Sequence, residues 1–174
     1  MAMGLSRKKE EALKQAIKVE EEGKQFYLQA AEKCQSVLAQ RIFEELARDE
    51  DLHIKKIHEI YGRLKEEKPV GEWVTSVGEP SRLEKVFQES LVEKASASSD
   101  DLEALRFAQD REEESVKYYE DLARESPDPQ EKRFYLTLSY EERGHHLSII
   151  DSIEFLTDPE GWFRMKERAG LDGG

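Results

Sequence analysis

The sequence predicts an all-α protein made of two similar helical hairpins. Over long stretches the apolar residues recur at steps of three and four, which is the period of an amphipathic helix. Only 5 prolines and 10 glycines occur among 174 residues, and they cluster between those stretches. The two halves also match at an offset of 92 residues (142 − 50), which pairs Glu50 with Glu142 and His53 with His145.

The periodic stretches define four long helices and a short one. Only Gln35 and Ser36 separate the first two helices, so these must be antiparallel neighbours. We expect residues 1–157 to form one four-helix domain with a long crossover at about 68–100, and residues 158–174 to be a tail of the same domain. A short helix is expected over Leu83–Glu93. The other predicted helices cover residues 6–34, 37–68, 99–125 and 130–157, with a short amphipathic helix after Glu160.

Composition excludes several classes of function. A net charge of −12 argues against nucleic-acid binding. No run of about 18 apolar residues could cross a membrane, and the N-terminus has no apolar stretch typical of a secretory signal, so we expect a cytoplasmic protein. The single cysteine, Cys34, cannot form an intramolecular disulfide or a Cys-rich metal site.

Each long helix carries a glutamate within its apolar stripe. On helix two, Glu50 and His53 share the face of Leu46 and Ile57, and the same Glu-x-x-His motif recurs on helix four. A charged residue at a core position in both halves is not explained by the duplication of a purely structural hairpin. The candidate metal ligands are therefore Glu20, Glu50, His53, Glu112, Glu142 and His145.

Divalent cations would compensate these buried charges. An unpaired buried carboxylate costs several kcal/mol or more, and four close together would repel one another. Two divalent cations balance four carboxylates, and the i, i+3 spacing lets each Glu-x-x-His pair reach one metal. Glu20 and Glu112 are expected either to bridge the two metals or to terminate them. Carboxylate and imidazole without thiolate favour iron or manganese, with zinc as an adventitious occupant.

Two tyrosines and two acids are candidates for supporting roles. Tyr27 and Tyr119 lie two turns beyond Glu20 and Glu112, too far to touch their own glutamate. Each could donate to a ligand on a neighbouring helix, or else be an ordinary core tyrosine. The acids that precede the helix-two and helix-four glutamates, Asp49 and Glu141, are expected to be exposed unless they orient a histidine of another helix.

The pattern Ala16-Ile17-x-x-Glu20-x-x-Gly23-x-x-Phe26-Tyr27, with Leu46-Ala47-x-x-Glu50-x-x-His53 and the counterparts in the second half, resembles the rubrerythrin family of ferritin-like di-iron carboxylate proteins. The resemblance covers roughly Leu5 to Thr157. It implies a ferritin-like four-helix bundle with two iron ions. It also implies reaction with hydrogen peroxide or dioxygen, a role in oxidative stress, and a homodimer.

Two features depart from the family's pattern. Rubrerythrins proper carry a rubredoxin domain with a four-cysteine iron site, whereas this chain has only Cys34, so electrons are expected from an external donor such as a rubredoxin. Peroxidase-type members also add a glutamate three residues after the helix-three ligand, where this chain has Ser115, matching Gly23 in the first half.

The sequence thus predicts an oxidoreductase that reduces hydrogen peroxide or dioxygen. Three alternatives remain open at this point. They are ferritin-like oxidation and storage of Fe²⁺, a di-manganese catalase-like enzyme, and a metal-free scaffold.

Overall fold

The computed structural model describes residues 7–65, 85–86, 89 and 97–171. Within these residues there is no strand, which confirms the predicted all-α class. The long helices agree closely with the periodicity, and the predicted C-terminal helix is present. The helices are α1 (Arg7–Lys33), α2 (Val37–Lys65), α3 (Ser99–Glu125), α4 (Pro129–Thr157) and α5 (Pro159–Leu171). The predicted end of helix two at Lys68 lies outside the described residues.

Side-chain caps explain where the second hairpin begins and turns. At the start of α3, Ser98 and Asp101 form a capping box in which each side chain accepts from the other residue's backbone N–H, at 3.1 and 3.0 Å. At the start of α4, Asp128 accepts from the backbone N–H of Gln130. Pro129 follows at the first helical position, where a missing N–H costs no hydrogen bond.

The four long helices form two antiparallel hairpins, α1 with α2 and α3 with α4. The hairpins meet through α1 against α3 and α2 against α4. The start of α3 lies beside the α1–α2 turn, because Asp101 binds the backbone of Gln35 and Ser36. The end of α2 and the start of α3 therefore lie at opposite ends of the bundle.

Part of this crossover is described. Lys85, Val86 and Glu89 are helical, and Val86 is buried in the core. Arg41 of α2 donates to the Glu89 carboxylate at 2.7 Å. The remainder of the predicted Leu83–Glu93 helix lies outside the described residues.

The apolar core falls into two clusters, one toward each end of the bundle. The first includes Tyr27, Phe43 and Leu105 and extends to Phe155 and Trp162, whose rings meet edge to face at a centroid distance of 5.6 Å. The Trp162 contact attaches α5 to the bundle. The second cluster lies toward the other end. It comprises Leu13, Ala16, Ile57, Ile60, Tyr119, Ala123, Phe134, Tyr135 and Leu138.

A layer of buried polar residues lies between the two clusters in all four long helices. Along α2, for example, Leu46 belongs to one cluster and Ile57 to the other, with Glu50 and His53 between them. The glutamate positions are therefore fixed by burial of apolar residues on both sides, as the stripes predict. Within the described residues, none of the helices combines the length and apolar character that a membrane span requires.

Asp101 connects the two hairpins at one end of the bundle. Its buried carboxylate accepts from the backbone N–H groups of Gln35 at 2.9 Å, Ser36 at 3.1 Å and Ser98 at 3.0 Å. Burial alone would raise the pKa of Asp101, but the hydrogen bonds from Ser98 and Gln35 hold it below its ordinary value. This carboxylate therefore contributes stability in its charged form.

We expect Asp101→Asn to lower the free energy of unfolding by about 2 kcal/mol at neutral pH, because an amide cannot accept from all three N–H groups. A folded-state pKa below the unfolded value means that this contribution is present above the unfolded pKa of about 4 and is lost as pH falls through the folded-state pKa. Urea unfolding of the variant and the wild type over a pH series measures both effects.

The control is Asp100→Asn, one position earlier and exposed. It should change stability by less than about 0.5 kcal/mol. Equal losses in the two variants would contradict a specific connecting role for Asp101.

Candidate metal centre

The six predicted ligands lie together in the polar layer at the middle of the bundle. Each helix contributes through the face that also carries its core residues, so the side chains converge on the bundle axis. None of the six is more than 5% exposed. They are Glu20 of α1, Glu50 and His53 of α2, Glu112 of α3, and Glu142 and His145 of α4.

The six side chains form two groups with one shared member. In each group the candidate ligand atoms all lie within 4.8 Å of one another, a spacing that could hold a metal ion. The shared residue, Glu142, can therefore serve both metal positions. Glu20 and Glu112 each belong to one group only. Of the two roles predicted for them, bridging both metals or terminating one, this arrangement favours the second. The groups are Glu20, Glu50, His53 and Glu142, and Glu112, Glu142 and His145.

His53 has the orientation of a metal ligand. Its Nε2 lies 2.7 Å from the Glu141 carboxylate, which only accepts, so a neutral His53 that donates from Nε2 leaves Nδ1 free to bind a metal. The other ring nitrogen, Nδ1, faces Glu20 Oε2 at 3.0 Å and Glu142 Oε1 at 2.9 Å. A metal-binding histidine usually donates its second N–H to a carboxylate in this way.

His145 repeats the arrangement in the other half. Its Nε2 lies 3.2 Å from Asp49 Oδ2. Its Nδ1 faces Glu142 Oε2 at 3.3 Å and Glu112 Oε2 at 3.6 Å, and the two histidine rings stack at a centroid distance of 5.8 Å. Asp49 and Glu141 are partly buried rather than exposed, so the expectation of exposure is wrong. Of the two roles considered for them, contact with a histidine of another helix is the one the geometry shows.

The tyrosines link the two hairpins across the site. Tyr27 of α1 donates to Glu112 of α3 at 2.5 Å. Tyr119 of α3, which is equivalent to Tyr27 in the repeat, donates to Glu20 of α1. Burial raises the pKa of Tyr27 and of Tyr119 well above the ordinary value, and the neighbouring carboxylates raise it further, so both hydroxyls remain donors. Each tyrosine thus fixes the position of the opposite half's glutamate.

Several buried atoms of the site make no well-aligned hydrogen bond, including Glu142 Oε1, although His53 Nδ1 lies 2.9 Å from it, and this is the test of whether cations fit. Such atoms are rare in folded proteins, because each costs free energy when removed from water. Since almost all of them here are carboxylate oxygens that converge on the same space, a cation is the partner that satisfies them together. The atoms are Glu50 Oε2, Glu112 Oε2, both carboxylate oxygens of Glu142, and His145 Nδ1.

The pKa shifts agree with uncompensated negative charge. Burial raises the pKa of Glu50 well above its ordinary value, and the charge of Glu20 adds to this. Burial also raises the pKa of Glu112 to about 8, with a further contribution from Glu142. Burial would lower the pKa of His53, but the carboxylates around it raise it instead. Without cations Glu50, Glu112 and His53 therefore favour proton uptake, the expected response of crowded buried carboxylates.

Gly23 makes room for Glu50. A Cβ atom at this position of α1 would lie 2.7 Å from Glu50 Oε1 and 3.3 Å from Arg111 Nη2. Carbon does not approach oxygen so closely without displacement of one of them. The equivalent residue of the second half, Ser115, carries a side chain, so the two halves differ here.

Fold and site together define a ferritin-like four-helix bundle with a buried carboxylate and histidine centre. The chain belongs to the rubrerythrin family, because the family model described as Rubrerythrin matches residues 11–150. Searches among curated proteins and among solved structures found no match. Family membership and the two buried groups indicate a di-metal site.

The structure adds one residue that the sequence did not single out. Lys56 of α2 donates to both carboxylate oxygens of Glu141, at 2.8 and 2.9 Å. The repeat gave no signal, because the equivalent residue in the second half is Ser148. The only indication of a role for Lys56 in the sequence was its position three residues after His53.

We expect Gly23→Ala to weaken divalent-cation binding by about 10-fold, because the new methyl group would displace Glu50. Alanine is otherwise favourable in a helix interior by roughly 0.5–1 kcal/mol, so general unfolding would not explain such a loss. Titration of the metal-free protein with Co²⁺, followed by absorbance, measures the effect.

Ser115→Ala is the matched control, because that position already accommodates a Cβ atom. It should bind Co²⁺ like the wild type. Unchanged binding by Gly23→Ala would show that the position of Glu50 is not required.

Proposed function

We propose that this protein is a di-iron oxidoreductase that reduces hydrogen peroxide or dioxygen with electrons from an external donor. The observation that carries the proposal is the pair of buried groups sharing Glu142, whose unpartnered oxygens converge on one space. Membership of the rubrerythrin family supports it. A metal-free scaffold would have no reason to retain these atoms in its core.

Iron is proposed because the donor set contains carboxylates and imidazoles and no thiolate, which suits iron or manganese. When bound, two ferrous ions would supply the two electrons that, with two protons, reduce one hydrogen peroxide molecule to two water molecules. A separate electron donor, such as a rubredoxin, would then restore the ferrous state. The 174 residues contain one cysteine, Cys34, too few for a four-cysteine iron site.

The protein's own residues would hold the ligands in place. Tyr27 and Tyr119 keep their protons and fix Glu112 and Glu20 by hydrogen bonds. Glu141 accepts from His53 and so directs Nδ1 of that ring toward the carboxylates. The apolar clusters on both sides of the layer exclude bulk water, which strengthens every electrostatic interaction within it.

Ferritin-like oxidation of Fe²⁺ is the second candidate. It is favoured by the near-symmetry of the site, in which Gly23 and Ser115 occupy the equivalent positions and neither supplies a carboxylate. In that case dioxygen rather than peroxide would be the faster oxidant, and iron uptake would continue beyond two ions per chain.

Stopped-flow mixing of the anaerobic ferrous protein with hydrogen peroxide or with dioxygen tests the proposal. The proposed function requires oxidation by one of them to be faster than that of free ferrous iron at the same concentration. It also requires catalytic turnover once a reducing donor is added. Oxidation no faster than that of free iron would contradict the proposal, and faster oxidation with continued iron uptake would favour the second candidate. A di-manganese enzyme would instead show manganese on elemental analysis of the natively expressed protein.

We expect Glu142→Gln to reduce bound iron from two ions per chain to less than one, because this carboxylate belongs to both groups. The loss of affinity should exceed the roughly 10–100-fold effect of removing an outer hydrogen-bond partner of a ligand. Elemental analysis after gel filtration gives the stoichiometry.

Glu21→Gln is the matched control, since Glu21 has the same chemistry but is exposed on α1. It should retain two ions per chain. Two ions per chain in Glu142→Gln as well would contradict the proposal that this carboxylate serves both metal positions.

A further inference from the structure

The carboxylates that face Nε2 of the two histidines have different partners. Glu141, behind His53, is bound by the Lys56 ammonium at 2.8 and 2.9 Å. Asp49, behind His145, has no lysine or arginine ion pair among the residues that the structure describes. Because Lys56 and Glu141 are both partly buried, at 29% and 25% side-chain exposure, their charges are only partly screened by solvent.

The two candidate metal-binding groups also differ in charge, and the group around His53 is the more negative one. The group around His53 contains three carboxylates and the group around His145 contains two, with Glu142 counted in each. Addition of Glu141 and Lys56 to the first group leaves a formal charge of −3, and addition of Asp49 to the second also gives −3. The lysine therefore offsets the extra ligand carboxylate of the His53 side.

We propose that Lys56 reduces the difference in negative charge between the two metal positions, so that both irons are reduced at similar potentials. The inference rests on the proposed di-iron function. Negative charge stabilises a ferric ion more than a ferrous one, so an excess on one side would lower the reduction potential at that position more than at the other. Matched potentials favour delivery of two electrons together, which reduction of peroxide to water requires. Lys56 is a positioning residue that acts through Glu141 and does not touch the metals.

The test is a redox titration of the iron-loaded protein with dithionite, in which the mixed-valence form is measured by electron paramagnetic resonance. Lys56→Met removes this positive charge, so both one-electron potentials should fall and the separation between them should increase. The comproportionation constant, which sets the mixed-valence fraction at the midpoint, should rise by about 10-fold, as expected for one partly screened unit charge nearby.

Two further variants separate electrostatics from structure. Lys56→Met combined with Glu141→Gln returns the His53 side to its original charge and keeps an acceptor for His53, so the mixed-valence fraction should return toward that of the wild type. Lys117→Met removes an equal charge from an exposed i, i+4 pair with Glu113 and should leave the titration unchanged. A merely structural role for Lys56 predicts lower thermal stability without rescue by the second substitution.

The iron content of every variant is measured first. A wild type that does not bind two irons would overturn the proposed function itself. Two irons per chain with the same comproportionation constant in Lys56→Met and the wild type would overturn only the inference about Lys56, as would failure of the double variant to restore it.

Discussion

Four glutamates lie side by side in the interior of a helical bundle, and much of the structure around them serves to hold this charge in place. Apolar clusters on both sides fix the depth of the layer. The carboxylates of Glu20 and Glu112 each accept a tyrosine hydroxyl from the other hairpin. The oxygens that remain without a partner define the space that cations can fill. A helical bundle without this constraint would place aliphatic residues at the same positions.

The same interactions explain how the two hairpins are joined. Because Tyr27 reaches from α1 to α3 and Tyr119 returns from α3 to α1, the site itself is the main polar contact across that interface. Asp101 adds a second connection at the end of the bundle, where its carboxylate binds the α1–α2 turn. Metal binding and docking of the hairpins would therefore be coupled, and bound metal should stabilise the folded chain by an amount that rises with the logarithm of its affinity.

Much of the fold and the set of candidate ligands could be predicted from the sequence, because both depend on features that repeat. The helical period gives the apolar stripes, and the duplicated register identifies Glu50 with Glu142 and Tyr27 with Tyr119. Features without a repeat were not predictable. Lys56 has no counterpart, and its contact with Glu141 depends on how α2 is rotated against α4. The sharing of Glu142 and the clearance at Gly23 likewise depend on side-chain positions that helical spacing does not determine.

Two metal ions are expected within the buried layer, between the hairpins. Anomalous diffraction at the iron edge, from crystals of the protein loaded anaerobically with Fe²⁺, tests it most directly. Two peaks are expected about 3.5–4 Å apart, the usual separation in two-metal sites, with Glu142 contacting both. One peak should lie beside His53 Nδ1 and the other beside His145 Nδ1. No peak within the layer, or peaks only at exposed carboxylates, would contradict a two-metal centre in this bundle.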